Sequence, residues 1–265
     1  MTWVPDQIDE EVPTAARVYD YLLDGAHNFA ADRDLAERFL RELPSARDVA
    51  RLNRAFMRRA VVFMAQQGIH QFLDIGSGIP TVGNVHEIAH EIDPTANVVY
   101  VDYEPVAVAH SEMLLEDDAR ATIVHADMLC PESVLEHPES RRLLDFDRPI
   151  GLIMTGVFHF VPPEADPVGI VGRYRDVLAP GSFLALSHFT ADICPAEMAG
   201  VVAVMWRSSD PVHPRSRAEI AELFTGFELV DPGIVGTALW RPEHPERAGG
   251  EPGGSQIYAG VGRKA

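Results

Sequence analysis

Cysteine, long apolar runs and positive charge are all scarce in this chain, and each scarcity excludes a class of protein. Of the 265 residues only Cys130 and Cys194 are cysteines, far apart and not at metal-ligand spacing. This argues against a disulfide framework or a structural zinc site and predicts a reducing, cytoplasmic setting. No apolar run approaches the roughly 20 residues that cross a bilayer, and the amino terminus lacks a signal-peptide hydrophobic region. We therefore expect no bound metal and no membrane association.

The shortage of positive charge bears on possible partners. The chain has 22 Lys and Arg against 40 Asp and Glu, which gives a formal net charge of -18. So acidic a surface repels phosphate backbones, and we expect no nucleic-acid substrate. The acidity itself is explained more simply by solubility, and Arg54, Arg58 and Arg59 leave room for a small local basic patch.

The first part of the chain has helical periodicity. Thr14 is placed to cap a helix that ends at Gly25, and a second short helix is predicted around 32–40. Ser45 and Asp48 have capping-box spacing at the start of a longer helix, whose apolar residues recur at steps of three and four up to Phe63. We interpret residues 1–68 as a helical extension in front of a second region, residues 69–265.

The second region alternates strands and helices. Strands are predicted at 71–75, 97–102, 120–125, 150–154, 182–188, 227–230 and 256–261. Helices are predicted after Asn84 and at 105–116, 131–144, 163–178, 195–206 and 217–223. This β-α-β order predicts an α/β fold, a mainly parallel sheet with helices on both faces and right-handed crossovers.

A glycine-rich turn follows the first strand, in the segment FLDIGSG at 72–78. Gly76 and Gly78 let the backbone approach a ligand closely, and Asp74 stands just before the turn. The second strand ends at Asp102, where a carboxylate suits both hydroxyls of a ribose. Together these features predict a cofactor that contains a nucleoside.

Four predicted strand ends carry glycine or polar residues. In an open α/β sheet, ligands bind at the carboxyl ends of the strands. The four ends are Gly76-Ser77-Gly78, Asp102-Tyr103, Asp127-Met128 and Thr155-Gly156. Their common placement indicates one shared site.

These segments resemble the class I S-adenosylmethionine-dependent methyltransferases, through LDIGSG at 73–78, VVYVDYEP at 98–105, HAD at 125–127 and TGVFHFVPP at 155–163. The resemblance is closer to an actinobacterial S-adenosyl methyltransferase family long described as a domain of unknown function. It includes ARVYDYLLDGAHNFAADR at 16–33 and LNRAFMRRAV at 52–61. It implies a Rossmann-like, three-layer fold whose seven-stranded, mostly parallel sheet has an antiparallel last strand. It also implies S-adenosylmethionine as cofactor and an unidentified acceptor.

The resemblance also implies roles for residues at the strand ends. Gly76, Ser77 and Gly78 would lie against the methionyl and ribose groups, and Asp102 would hold the ribose hydroxyls. At the adenine, Tyr103 would lie along the ring and Asp127 would accept from the amino group, beside the Met128 backbone. Thr155 and Gly156 would line the side nearest the sulfonium. For Asp74 two readings stay open, a contact with the methionyl amine or hydrogen bonds that fix the loop. Pro80 departs from the family pattern, because many methyltransferases have a third glycine there.

Methyl transfer needs a base only if the acceptor must lose a proton. His159 follows the fourth strand and is the candidate base, with a hydrogen-bonded histidine in the pocket wall as the alternative and His188 as a weaker candidate. In the extension, Tyr21, Asn28, Arg54 and Arg58 are hypothesised to form a lid over the cofactor and acceptor. Surface charge and ordinary packing are the alternative for these four residues.

The leading hypothesis is methyl transfer to a small molecule. A nicotinamide-dependent oxidoreductase would use the same first turn and Asp102, but Thr81 stands where its third glycine is needed. A non-catalytic sensor that binds the cofactor is the second alternative, because methyl transfer has no obligatory catalytic side chain. The oligomeric state is not predicted.

Overall fold

The structure is a computed structural model that describes residues 8–80, 83–244 and 256–265. The helices are α1 Ala15–Leu22, α2 Ala30–Glu42, α3 Ala46–Gln66, α4 Val85–Ile92, α5 Pro105–Leu115, α6 Pro131–Leu135, α7 Pro138–Leu143, α8 Pro167–Val177, α9 Pro195–Met205 and α10 Arg217–Glu222. The strands are β1 Gln71–Ile75, β2 Asn97–Asp102, β3 Ala121–His125, β4 Gly151–Thr155, β5 Phe183–Phe189, β6 Phe227–Leu229, β7 Val235–Gly236 and β8 Ile257–Lys264. Among these helices, none is long and apolar enough to cross a membrane.

The strands form one mixed sheet in the order β3-β2-β1-β4-β5-β8-β6. The pairs among β1 to β5 are parallel, and β8 runs antiparallel to both β5 and β6. The two-residue strand β7 pairs with the same edge of β8 as β6 does. The predicted Rossmann-like sheet with an antiparallel last strand is confirmed, and β7 adds a short eighth strand.

Three details of the predicted helices differ from the structure. Ser45 forms no capping hydrogen bond, because its backbone (φ -83°, ψ 7°) is not extended as a cap requires. The predicted helix at 131–144 is two helices, with Pro138 starting the second. After Pro162 a 3-10 turn comes first, and α8 begins only at Pro167 with Asp166 as its cap. Proline set the last two boundaries, because it lacks the N–H that a helix interior needs.

The amino-terminal helices pack in two different ways. On α3, Phe56, Ala60 and Met64 are fully buried in the same core as Phe72 of β1 and Ile153 of β4. By contrast, α1 and α2 share a separate apolar cluster with α9 and the first two turns of α3. Helix α3 thus forms part of a layer on the sheet, while α1 and α2 stand beyond the strand ends. The division of the chain at residue 68 stays a prediction.

Candidate active site

A single cleft opens at the carboxyl ends of β1, β2 and β4, and α1 and α3 contribute to its wall. The described residues that line it are Ala15, Ala16, Val18, Tyr19, Leu22, Phe39, Ala46, Val49, Ala50, Asn53, Arg54, Met57, Asp74, Gly76, Ser77, Gly78, Val101, Asp102, Tyr103, Glu104, Ala126, Met128, Thr155, Gly156, Val157, His159, Phe160, Phe189, Met205, Asp210, Val212 and Ile257. Most of the predicted strand-end residues therefore meet at one place. Across the described residues, no group of three or more His, Cys, Asp or Glu side chains is arranged to hold a metal ion.

Glycine is needed for different physical reasons at the two glycine positions of the turn after β1. Both have positive φ, 69° at Gly76 and 68° at Gly78. A Cβ on Gly76 would lie 2.3 Å from Cγ2 of Val157, so that glycine lets the turn pack against the segment after β4. A Cβ on Gly78 would meet nothing within 4 Å. Protein packing therefore does not explain Gly78, and its open side faces the cleft.

The amides of this turn are directed toward β2. Gly76 and Ser77 both donate to the Val101 carbonyl, at 2.8 and 3.1 Å. Gly78 donates to Oδ2 of Asp102 at 2.7 Å. The parallel neighbour strand β2 therefore accepts the N–H groups of all three turn residues, and close backbone approach remains the contribution of the glycines.

Asp102 at the end of β2 is buried and anchored. Its Oδ1 accepts from the Glu104 amide at 2.9 Å, while Oδ2 accepts from Gly78. An ionised carboxylate offers about four acceptor positions, so two remain for a ligand. Burial raises the pKa of Asp102, and the hydrogen bonds from Glu104 and Gly78 oppose that shift. The group is held in a fixed place at the floor of the cleft.

Asp74 lies beside this carboxylate and is also buried. Burial raises its pKa to about 7, the Arg54 guanidinium lowers it, and the Asp102 carboxylate raises it. Arg54, on α3, donates to the Gly83 carbonyl at 2.8 Å and lines the cleft. The buried hydroxyl oxygen of Ser77 has no hydrogen-bond partner among the described residues. This corner of the cleft thus holds a carboxyl, a guanidinium and an unsatisfied hydroxyl.

The residues predicted to surround an adenine are only partly brought together. Tyr103 lines the cleft, and its hydroxyl donates to Asp210. Met128 lines it as well. The side chain of Asp127 is exposed and does not line it, because its Oδ1 caps the turn by accepting from the Leu129 amide at 2.8 Å. The contact of Asp127 with adenine stays a prediction, and the Asp127 side chain lies outside the cleft lining.

Thr155 and Gly156 lie between the two halves of the cleft, at the end of β4. A Cβ on Gly156 would come within 2.8 Å of Nδ2 of Asn53, on α3. Asn53 is buried, donates to the Tyr19 hydroxyl at 3.3 Å and accepts from the Ser187 hydroxyl at 2.5 Å. Glycine at 156 therefore lets the extension approach the ends of β4 and β5 directly.

His159 is buried in the cleft wall, 3 % exposed, and its Nδ1 has no hydrogen-bond partner among the described residues. Burial holds its pKa well below the ordinary value, and the nearby His188 and Arg215 add to the effect. Arg215 donates to Nε2 of His188 at 2.7 Å and to the carbonyls of Phe158 and Val161, which fixes the turn that carries His159. Burial thus disfavours a positive charge on the imidazole before transfer, which favours a hydrogen-bonding role over that of a base that deprotonates the acceptor beforehand; the role of base stays a prediction.

Three of the four predicted lid residues lie outside the cleft. Tyr21 donates to Glu37 on the outer side of α1. Asn28 donates to Asp20, and Arg58 is 45 % exposed in an ion pair with Glu91. Their helix faces and loop direct them away from the cavity, and Arg54 alone of the four lines it. The lid roles of these three residues stay predictions, with their side chains placed outside the cavity lining.

Sequence reasoning missed four charged residues that join the extension to the cleft. Arg17 of α1 pairs with Asp32 at 2.9 Å and with Glu104 at 3.2 Å, all three buried. Asp210 accepts from the Ala15 amide at 2.7 Å and from Tyr103. No spacing rule reveals such pairs, because a buried charge looks like a surface charge in sequence.

Comparison with known proteins agrees with this geometry. The profile of the S-adenosyl methyltransferase family matches residues 1–265. A protein of Thermobifida fusca YX with a provisional methyltransferase assignment is 41% identical, with a TM-score of 0.93, covering 100% of this chain and 99% of that one. A DUF574 family protein from Streptomyces avermitilis MA-4680 is also 41% identical with a TM-score of 0.93, covering 98% and 100%.

A more distant structure shares the fold alone. It is the 1,6-didemethyltoxoflavin-N1-methyltransferase of Burkholderia thailandensis, 20% identical with a TM-score of 0.51, covering 99% of this chain and 98% of that one. None of the curated proteins matches the chain. From its full-length profile match and two close structural relatives, the chain belongs to the S-adenosyl methyltransferase family, whose cofactor is S-adenosylmethionine.

Proposed function

We propose that this protein transfers a methyl group from S-adenosylmethionine to a small-molecule acceptor held beneath its amino-terminal helices. One observation carries the proposal. The same cleft is lined by the anchored carboxylate of Asp102 and by His159, whose Nδ1 has no hydrogen-bond partner in the described part of the chain. A nucleoside-binding end and a buried acceptor end thus share one cavity.

The residues at the first end fit the cofactor. Asp102 has acceptor positions left over for ribose hydroxyls, and Gly78 leaves open space where any side chain would project. The unsatisfied hydroxyl of Ser77 and the carboxyl of Asp74 suit the polar methionyl group. Arg54 is placed for its carboxylate, and Tyr103 and Met128 for the base.

Bound S-adenosylmethionine supplies a methyl group that is already activated by its sulfonium. The work left to the protein is to position the acceptor and exclude water. Thr155 and Gly156 separate the two halves of the cleft, and Asn53 of α3 is locked against them. Helices α1 and α3 cover the far half with apolar side chains, which keeps water away from an acceptor.

Calorimetry on the full chain tests the cofactor end. We expect S-adenosylmethionine and S-adenosylhomocysteine to bind and NAD not to bind. Asp102→Asn removes a charge-assisted interaction with the ribose, and we expect binding to weaken by about 10- to 100-fold. Asp117→Asn, an exposed carboxylate after α5, is the matched control and leaves affinity unchanged.

A methyl-labelled cofactor incubated with host extract tests the transfer itself. We expect label in the low-molecular-weight fraction and none in protein or nucleic acid. Tight cofactor binding with no labelled product under any condition would favour the non-catalytic sensor. Binding of NAD in place of the sulfonium compound would contradict the proposal outright.

A further inference from the structure

The far half of the cleft is a chamber of its own, formed where α1, α2 and α9 meet the ends of β5 and β8. Six apolar residues define this acceptor chamber: Val18, Leu22, Phe39, Phe189, Met205 and Ile257. They belong to one hydrophobic cluster that does not include the glycine turn or the strand ends of β1 and β2. The sheet order places β4 and β5 between this cluster and the outer strands β2 and β3.

Charge is distributed unevenly along the cleft. Five charged side chains line it, and all five lie toward the cofactor end. Asp74 and Asp102 end β1 and β2, and Glu104 follows Asp102. Asp210 contacts Tyr103, and Arg54 contacts Gly83. Among the described residues the acceptor chamber has no charged side chain.

An uncharged chamber selects against ions. A charged acceptor would lose its hydration on entry and meet no charged side chain in the lining, which costs far more than entry of a neutral group of the same size. The Arg215 guanidinium lies behind the lining and already donates to His188 and two backbone carbonyls. The polar side chains Tyr19 and Asn53, which also line the cleft, already have hydrogen-bond partners within the protein. The Tyr19 hydroxyl donates to the Ala50 carbonyl at 3.0 Å, and Asn53 bonds Tyr19 and Ser187.

One fully buried polar atom of the chamber wall is available to a ligand, and aromatic rings surround it. Nδ1 of His159 has no hydrogen-bond partner among the described residues. The His159 ring lies 4.3 Å from the ring of Phe160 and 4.4 Å from that of Phe189, measured between centroids. Phe39 lies behind Phe189, with centroids 6.4 Å apart. Such a wall suits a flat ring packed offset or edge to face.

We propose that the acceptor is an electrically neutral, mainly apolar ring compound that carries one O–H or N–H group and is held by a single hydrogen bond to His159. This inference rests on the proposed function and narrows its substrate class. The methyl group leaves the sulfonium, which becomes the neutral thioether, and bonds to the O or N of the acceptor's O–H or N–H group. His159 orients this group, and the proton that the methylated atom must lose passes along the same hydrogen bond to Nδ1 only after the methyl group has bonded. The chamber's apolar side chains then supply most of the binding free energy, and the imidazole sets the orientation.

Four naphthalenes that differ only in one substituent test the charge rule. The probes are naphthol, methoxynaphthalene, naphthoate and naphthylmethylammonium, all substituted at the same ring position. Their binding to the full chain saturated with S-adenosylhomocysteine is measured by calorimetry. We expect the two neutral probes to bind and each ion to bind at least about 30-fold more weakly.

Replacement of His159 tests the hydrogen bond. His159→Phe keeps an aromatic ring and removes both nitrogens. We expect it to weaken naphthol binding about 3- to 10-fold, and to leave methoxynaphthalene, which has no donor, within about twofold. His70→Phe, at an exposed histidine before the amino end of β1, is the control and changes neither. A merely structural role for His159 would weaken both neutral probes equally.

The outcomes separate this inference from the proposed function. Failure of S-adenosylhomocysteine to bind the parent chain overturns the proposed function before any probe is added. With that ligand bound, an ion that binds as tightly as naphthol overturns the inference. Absence of binding by both neutral probes, or equal loss of both in His159→Phe, overturns it as well.

Discussion

Removal of the Arg17 guanidinium should uncouple the extension from the cofactor end of the cleft. Arg17 is 2 % exposed and bridges Asp32, which is 0 % exposed, and Glu104, which is 3 % exposed. Arg17→Met keeps the unbranched apolar stem of the side chain and leaves two buried carboxylates without their cation. Glu104 also caps α5 by accepting from the Ala107 amide, so the disturbance reaches the segment that follows Asp102.

The magnitude follows from the burial of all three groups. Breaking a buried ion pair by removing one partner costs about 3 to 5 kcal/mol. For a chain of 265 residues, an unfolding entropy of about 2.1 cal/mol/K per residue gives about 0.56 kcal/mol/K in total. The same loss therefore lowers Tm by about 5 to 9 °C.

Differential scanning calorimetry at neutral pH measures this loss. The control is Arg51→Met, because Arg51 is 56 % exposed and pairs with an exposed Asp24. Its loss should lower Tm by about 2 °C at most. Adding Glu104→Gln to Arg17→Met removes one of the stranded charges and should recover part of the loss. If Arg17→Met melts no lower than the control, the three buried charges do not act as we infer.

Three further predictions concern the cleft itself. Gly76→Ala places a Cβ against Val157 and should lower the free energy of unfolding by about 3 kcal/mol. Gly78→Ala, with open space around it, should lower it by about 1 kcal/mol yet weaken cofactor binding. Urea unfolding measures the stability and calorimetry the binding, and equal stability losses would contradict the distinction. Burial raises the pKa of Asp74 to about 7 from 3.8, so the folded protein keeps a proton that the unfolded chain releases. The resulting contribution to the free energy of unfolding is complete below about pH 4 and is lost as the pH rises to about 7. Asp74→Asn should therefore be more stable than the parent at pH 8, by up to about 4 kcal/mol, and equal to it near pH 4, and a pH-independent difference in urea unfolding would refute the assignment. Arg215→Met strips three buried acceptors of their donor and should cost about 2 to 4 kcal/mol, and a denaturation midpoint like the parent's would show that the turn after β4 does not depend on it.

Strand positions were predictable because each strand is a short buried run next to a turn signal. The run at 71–75 is entirely buried in the sheet, as its lack of alternation indicates. Strand ends were predictable for the same reason, and so Asp102 and Gly78 were found beside each other. Helix starts were predictable where a cap or proline acts locally, as Thr14 does by accepting from the Arg17 amide.

Side-chain direction was less predictable than position. Tyr21 and Arg58 share helices with cleft residues, yet a small rotation about the helix axis turns them to solvent or to a surface partner. Asp127 follows its strand as expected, but its side chain bonds the local turn. Local hydrogen bonds of this kind compete with a ligand and are decided by backbone angles that the sequence does not specify.

The sequence by itself determined the strand-and-helix order, the glycine turn and the two acids near it, because these depend on neighbours a few residues apart. Only the tertiary structure decided which charges are buried and which end of the cleft is left without any. Arg17 and Glu104 meet across 87 positions, and Asp210 and Ala15 across 195. Burial depends on such distant contacts, and burial is what lowers the pKa of His159 and leaves its Nδ1 without a hydrogen-bond partner among the described residues.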